Sequence, residues 1–371
     1  MPTATKHFDR PFFITTLVLV IVGVFIFSSA SLGLLARDGV QFSSVAKSQF
    51  FLGVCGGLVA LFTMANIPYR SYRTYVPYIF GIALVLTMCV FIPGLGYEAN
   101  GARRWLSVFG VSLQPAEILK LSFVLFLAWF YSAHYRKLKD IRFSLGGLVG
   151  ALAVTGLILL LQPDTGTFLI LGTTGVAVTI TAGVRVKHLL FLGLLLFLGV
   201  CVLALSRPYL LERVTTFMDP ASDPSGSGYQ IKQSLIAIGS GGWFGRGFGQ
   251  SVQKFSYLPE PIGDSIFSVA AEEFGFMGSV TLLGLFVFFA LRGLLIASRA
   301  PDRFGGLVVI GVVILIITQS FMNIGAMTGL IPLTGEPLTF ISHGGTSLLF
   351  ALAGVGMVLN ISRYKSIRNS I

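Results

Sequence analysis

Charged side chains are scarce in this sequence. Only 11% of its 371 residues are Asp, Glu, Lys or Arg, where a soluble globular chain carries about 25%. That shortage excludes an ordinary water-soluble domain. Cysteine is rarer still: the three, Cys55, Cys89 and Cys201, each fall inside an apolar run. An odd, scattered set makes neither a disulfide framework nor a thiolate metal site. The four histidines, His7, His134, His188 and His343, are equally dispersed, so neither a zinc-type cluster nor a Ser-His-Asp arrangement is visible. No fixed-period repeat of the solenoid kind is present.

What is abundant is apolar sequence, 54% of the chain. A spanning helix needs about 20 mostly apolar residues. About ten such runs occur, near 11–31, 48–67, 76–93, 115–133, 144–162, 166–183, 187–205, 265–291, 305–328 and 345–362. The expected fold is therefore all-α and polytopic, one integral membrane domain over residues 1–371. The first run follows Lys6 and Arg10 but is long for a signal peptide, and it reads as an uncleaved span. Gly146-x-x-x-Gly150 reads as a mark of close helix packing.

An even number of spans puts both termini on one side. Basic residues choose the side. With the termini in the cytoplasm, Arg70, Arg73, Arg136, Lys137, Lys139, Arg142, Arg185, Lys187, Arg292, Arg299 and Arg303 all lie in cytoplasmic loops. The net charge of +11 then reports membrane orientation rather than nucleic-acid binding. Of the 15 acids, only Asp9, Asp140 and Asp302 fall on that side. Acids contribute little to orientation, so their skew needs another cause, and a polar reaction centre on the outer face supplies one.

One outer loop, residues 206–263, is far longer than the rest. It opens with turn-rich sequence and continues as QIKQSLIAIGSGG. There Ile231, Leu235, Ile236 and Ile238 are spaced as on a short amphipathic helix lying on the membrane. The run GSGGWFGRGFGQ at 239–250 lacks the Gly-Lys-Ser/Thr of a phosphate loop. It reads as a flexible hinge, with a backbone cradle for a pyrophosphate as the alternative. A second outer stretch, 96–114, carries Arg103, Arg104 and Trp105, which also suits a headgroup-level anchor.

The loop ends at Tyr257–Gly278, YLPEPIGDSIFSVAAEEFGFMG. Here Glu260 and Asp264 precede an apolar helix that carries Glu272 and Glu273. Carboxylates at membrane depth are expensive, and their default reading is functional. Asp264, at the loop-to-helix junction, suits either an N-cap or a general base made more basic by partial burial. Glu272 and Glu273 point about 100° apart on a helix and so are not expected to share one partner; one could meet a cation such as Lys120. Glu117 and Lys120, three apart, share a helix face. They form either a self-neutralising pair or the lining of a polar cavity shared with Asp264. The segment 329–348, with Pro332 and Pro337 among glycines, cannot be a plain helix. It reads as a loop lining a cavity shielded from lipid, with His343 as a local hydrogen-bonding residue.

Seven motifs run in order along nearly the whole chain: NGARRWL at 100–106, QPAEILK at 114–120, QPDTGT at 162–167, GYQIKQSLIAIGSGG at 228–242, YLPEPIGDSIF at 257–267, AEEFGFMG at 271–278 and GLIPLTGEPLTFISHGGTSL at 329–348. On them the chain resembles the SEDS proteins (shape, elongation, division and sporulation), glycosyltransferases of bacterial peptidoglycan synthesis. NGARRW, YLPE and the closing NISR look more like the division branch, FtsW, than the elongation branch, RodA. Ala116 and His343 depart from the serine and tyrosine the family often has.

The resemblance implies polymerisation of lipid II on the outer face of the bacterial cytoplasmic membrane, with undecaprenyl pyrophosphate leaving. It implies Asp264 as the essential acid. Arg103, Arg104, Glu117, Lys120, Lys254 and Glu260 are the residues expected to meet substrate, and Glu272, Glu273, Asp164 and His343 those expected to shape the cavity. The leaving group's charge would be met by Arg103, Arg104, Lys120 or a divalent cation, magnesium or manganese. Partners implied are undecaprenyl-linked glycan, a class B penicillin-binding protein and other division or elongation proteins. Two other classes stay open: a lipid II flippase, which intramembrane charge also suits, and a scaffold with no need of Asp264.

Overall fold

The computed structural model describes residues 8–99, 102–108, 111–185, 187–188, 190–194, 198–199, 215–219, 223–224 and 226–364. Most of the run expected at 187–205 and the start of the long loop therefore lie outside the described residues. The remaining runs are helical. The elements are α1 (Arg10–Arg37), α2 (Gly39–Lys47), a π-helical stretch (Ser48–Gly56), α3 (Gly57–Asn66), the short α4 (Tyr69–Arg73) and α5 (Val76–Met88). Then come α6 (Pro115–Ala133), α7 (Ile141–Leu161) and α8 (Thr165–Thr181). After the long loop's helices, α9 (Ser227–Ser240) and α10 (Gln253–Ser256), follow α11 (Ile266–Ser298), α12 (Arg303–Met327) and α13 (Gly345–Ser362). Among the described residues seven helices are long and apolar enough to cross a membrane. The fold is all-helical and polytopic.

The start of α1 and the end of α13 meet at one end of the bundle. The Asp9 amide donates to Ser362 Oγ at 3.0 Å, and the Asp9 carboxylate caps α1 and takes a two-pronged bond from Arg292 at 2.9 Å. At that end Tyr69 donates to Asp302, the N-cap of α12, at 2.6 Å. Close backbone approach sets the interior packing. Gly356 of α13 lies directly against the Leu61 backbone of α3, and Gly23 of α1 against the Phe340 carbonyl. A Cβ at either position would collide.

Two expectations change. The outer stretch 96–114 folds as a small antiparallel sheet, β1 (Gly96–Ala99), β2 (Ala102–Val108) and β3 (Val111–Leu113), in that order. The Asn-Gly dipeptide between the paired Ala99 and Ala102 is the sequence signal for a two-residue hairpin. Among the described residues Gly146 and Gly150 do not mark a packed face, because none of them comes within 4 Å of a Cβ placed on either. The contact residue is Gly147, seated on the Phe130 ring.

Candidate functional site

Asp264 sits in a turn at the end of the bundle opposite the termini, one residue before the N-cap of α11. The N-cap position itself falls on Ser265. Three successive carbonyls of the turn are each held from outside. The His343 amide donates to Ile262 O at 2.7 Å, Ser342 Oγ to Gly263 O at 2.7 Å, and Asn323 Nδ2 to Asp264 O at 2.7 Å. Gln230 of α9 donates to Ser265 Oγ at 3.0 Å. Glu260, upstream and exposed, holds a left-handed backbone (φ 45°) and accepts the amides of Gly263 and Ser265. Such a conformation is uncommon for a side-chain-bearing residue. The turn is thus fixed by the 329–344 segment, α12 and α9 together, as a positioned carboxylate requires.

The segment 329–344 is irregular, as its prolines dictate. It is tied down by Gln49, whose amide donates to Ser342 O and accepts from the Gly344 amide. It brings in a residue that sequence reasoning missed, Glu336, which is only 5% exposed. The signal was present: an acid between Gly335 and Pro337 in a segment already read as cavity lining.

Glu336 joins a buried polar group. Lys120 donates to Glu117 at 2.9 Å and to Gln319 Oε1 at 2.7 Å, and Gln319 donates on to Pro337 O at 3.1 Å. Thr167 Oγ1 lies 2.9 Å from Asp164 Oδ2 and 3.0 Å from Glu336 Oε1. Arg104, from β2, approaches Asp164 at 3.8 Å and donates to the carbonyls of Gln162 and Pro163. Burial favours the neutral Glu336 carboxyl, and Asp164 and Glu117 push the same way against Lys120; its pKa is pushed up to about 8. Glu117 and Lys120 line a cavity of about 20 Å³ with Gln319, Thr339 and Ser347, room for about one water. Asp264 is not among its lining residues. The link between the two is Asn323, whose amide also donates to Glu336 O at 2.8 Å.

The second acidic pair does something else. Glu273 accepts from Lys254 Nζ and Ser29 Oγ at 2.6 Å each, and Lys254 also reaches Ser29 Oγ at 2.9 Å. Glu272 accepts from Ser251 Oγ at 2.6 Å and from the amides of Val252 and Gln253, with Arg246 at 3.6 Å. Neither acid meets Lys120. Contrary to expectation the two do share a neighbour, because the Ser251 amide turns back to Glu273. Lys254, expected to meet substrate, is fully buried in this pair.

These acids anchor the Gly-rich run. The helix α11 breaks at Gly275 (φ 67°, ψ −164°), and the run pairs with it across the break. The amides of Arg246 and Gly247 donate to the carbonyls of Glu272 and Glu273, and those of Phe276 and Met277 to Gly242 and Trp243. A run tied to the helix on both sides of its break is not a loose hinge. The helix α9 is present as expected, but it packs Ile231, Ser234 and Ala237 inward and leaves Leu235 and Ile236 exposed.

Arg103 is exposed on β2, and His343 packs its ring on Phe27, 6.2 Å between centroids. Among the described residues no three His, Cys, Asp or Glu side chains converge as ligands for a metal. Glu117, Asp164 and Glu336 are matched instead to Lys120, Arg104 and Thr167, a poor fit to a divalent cation.

Residues 9–367 match the cell cycle protein family of FtsW, RodA and SpoVE. The chain is 40% identical to the stage V sporulation protein E of Bacillus subtilis, over 98% of this chain and 99% of that one. It is 34% identical to a probable peptidoglycan glycosyltransferase FtsW of a Geobacter species, over 96% and 97%. Among solved structures it resembles a chain of a peptidoglycan synthase complex that coordinates polymerization and crosslinking (TM-score 0.77, 28% identity, 96% and 98% covered). It also resembles the rod shape determining protein RodA of Thermus thermophilus (TM-score 0.65, 26% identity, 96% and 97% covered).

Proposed function

The chain belongs to the FtsW, RodA and SpoVE family, and from that premise we propose that it is a peptidoglycan glycosyltransferase that polymerises lipid II on the outer face of the cytoplasmic membrane. The observation that carries this reading is the Asp264 turn, held at three successive carbonyls. A fold that invests this much in one turn is suited to holding a reacting group still. In the reaction the 4-hydroxyl oxygen of one sugar attacks the anomeric carbon of a lipid-linked partner. The Asp264 carboxylate takes the hydroxyl proton as the new bond forms. The bond from the anomeric carbon to the phosphate oxygen breaks, and undecaprenyl pyrophosphate leaves with the electron pair. Arg103 and Arg104, on the strand beside the site, supply positive charge for that leaving group.

In this reading both termini are cytoplasmic, the 206–263 loop is extracytoplasmic, and the whole is one membrane domain. The process served is cell division. A sporulation role is the second reading, favoured by the 40% identity to the sporulation protein. A class B penicillin-binding protein anchored by one span is the partner, in keeping with the similar chain found in a synthase complex. A flippase would carry its charges at the bilayer midplane, reachable from both sides. Here Asp264 and the group of Arg104, Asp164 and Glu336 lie toward the end opposite Asp9 and Ser362. The test is a lipid II polymerisation assay on purified protein with and without that partner. Glycan chains are expected; lipid II translocation without chain growth would overturn the reading.

A further inference from the structure

A hydroxyl carries one hydrogen, yet Thr167 Oγ1 lies within hydrogen-bond distance of two carboxyl groups, Asp164 at 2.9 Å and Glu336 at 3.0 Å. If both acids were ionised, one of those contacts would be oxygen against oxygen with no proton between them. Both are buried, at 1% and 5% exposure, where such a contact is costly. One acid therefore carries a proton. Asp164 is the acid with other donors, the Thr167 amide at 3.4 Å and the Arg104 guanidinium at 3.8 Å. The proton belongs on Glu336, which donates to Thr167, while Thr167 donates to Asp164.

We propose that Glu336 is a neutral, proton-carrying positioning residue that locks the 329–344 segment onto the start of α8 and, through Asn323, fixes the Asp264 turn. Gly166 makes the lock possible, since a Cβ there would lie 2.6 Å from Glu336 Oε1 and 2.8 Å from Thr334 O. Asn323 transmits it by donating to the carbonyls of both Glu336 and Asp264. The charges facing Glu336 are Lys120 and Glu117 from α6 and Asp164 from the start of α8, with Arg104 of β2 behind Asp164. Ionising Glu336 would set it against Asp164 across one hydroxyl and push the segment away. The neutral form prevails below about pH 8. Its raised pKa means stability is greatest at low pH, declines as pH rises from the unfolded carboxyl's range, and reaches its floor above about 8.

The role in transfer rests on the proposed polymerase activity; the proton itself does not. Infrared difference spectra of the wild-type protein, titrated across that range, should show a protonated-carboxyl band that disappears as pH rises. The band should be missing in Glu336→Gln. Glu336→Gln mimics the neutral acid, donating to Thr167 through its amide, and should polymerise at about the wild-type rate near neutrality. The wild-type rate should fall at alkaline pH, and the variant should lose that fall. Lys120 is unchanged in that variant, so an alkaline fall that persists would assign the limb elsewhere and overturn the proposal. So would a wild-type spectrum with no such band, or a folded Glu336→Gln protein as inactive as Asp264→Asn. A wild type that makes no glycan at all would sink the polymerase reading and leave the band to decide the proton.

Discussion

Asn323 holds Asp264 by its main chain: the amide nitrogen donates to the Asp264 carbonyl at 2.7 Å. The same nitrogen donates to Glu336 O at 2.8 Å. One side chain on α12 therefore ties the loop before α11 to the loop after α12. Asn323→Ala should leave two carbonyls short of a donor, at a cost of about 1–3 kcal/mol. It should also let the Asp264 turn drift. The expected signature is a fall in kcat of up to about 10²-fold with KM little changed. A variant with normal kcat would show that the turn does not need this tie.

Lys254 and Glu273 form a buried pair remote from Lys120. Removing either partner alone, by Lys254→Met or Glu273→Gln, should destabilise the protein by about 3–5 kcal/mol, because an unpaired buried charge remains. The double variant should recover much of that loss. Thermal melts of the detergent-solubilised protein measure this. Equal melting temperatures for single and double variants would contradict the pairing.

Gly245 and Gly275 meet backbone to backbone, and both have positive φ (79° and 67°). Gly275→Ala should break the docking of the 241–247 run on α11 and be seen as rapid proteolysis within that run. Gly146→Ala and Gly150→Ala, with open space around them, should be neutral or raise stability by up to about 1 kcal/mol, as alanine favours a helix. Those three variants separate a glycine needed for shape from one that only matches a packing pattern.

The fold was legible because apolar run length speaks directly to membrane spans, and Pro332 and Pro337 forced an irregular segment between the last two. The site was legible in part. Glu117 and Lys120 stood at helical spacing, so their contact followed from geometry alone. The partners of Glu272, Glu273 and Lys254 were not legible, because those contacts depend on how a loop folds back on a broken helix. Nothing local to Gly275 announces a break; it follows from the Gly-rich run some thirty residues earlier docking there. Glu336 was overlooked because its meaning lies in Thr167 and Asp164, far away in the chain. The small sheet at 96–113 had a local signal, the Asn-Gly turn, in a stretch read as an anchor.

Orientation has its own test. Accessibility reporters placed at Trp243 or Phe244, both highly exposed, should report the extracytoplasmic side, and reporters next to Arg303 the cytoplasmic side. The reverse pattern would remove the reaction site from the face where lipid II is polymerised.

The central claim is that the Asp264 carboxylate is the base. The variant Asp264→Asn keeps the side chain's shape and the main-chain tie to Asn323 while removing the basic oxygen. The measurement is the rate of glycan formation from lipid II by purified Asp264→Asn protein, alongside the wild type and with matched melting temperatures. General base catalysis contributes on the order of 10²–10⁴-fold. The account predicts a loss in that range from a protein that is folded and still binds its partner; a near wild-type rate would contradict it.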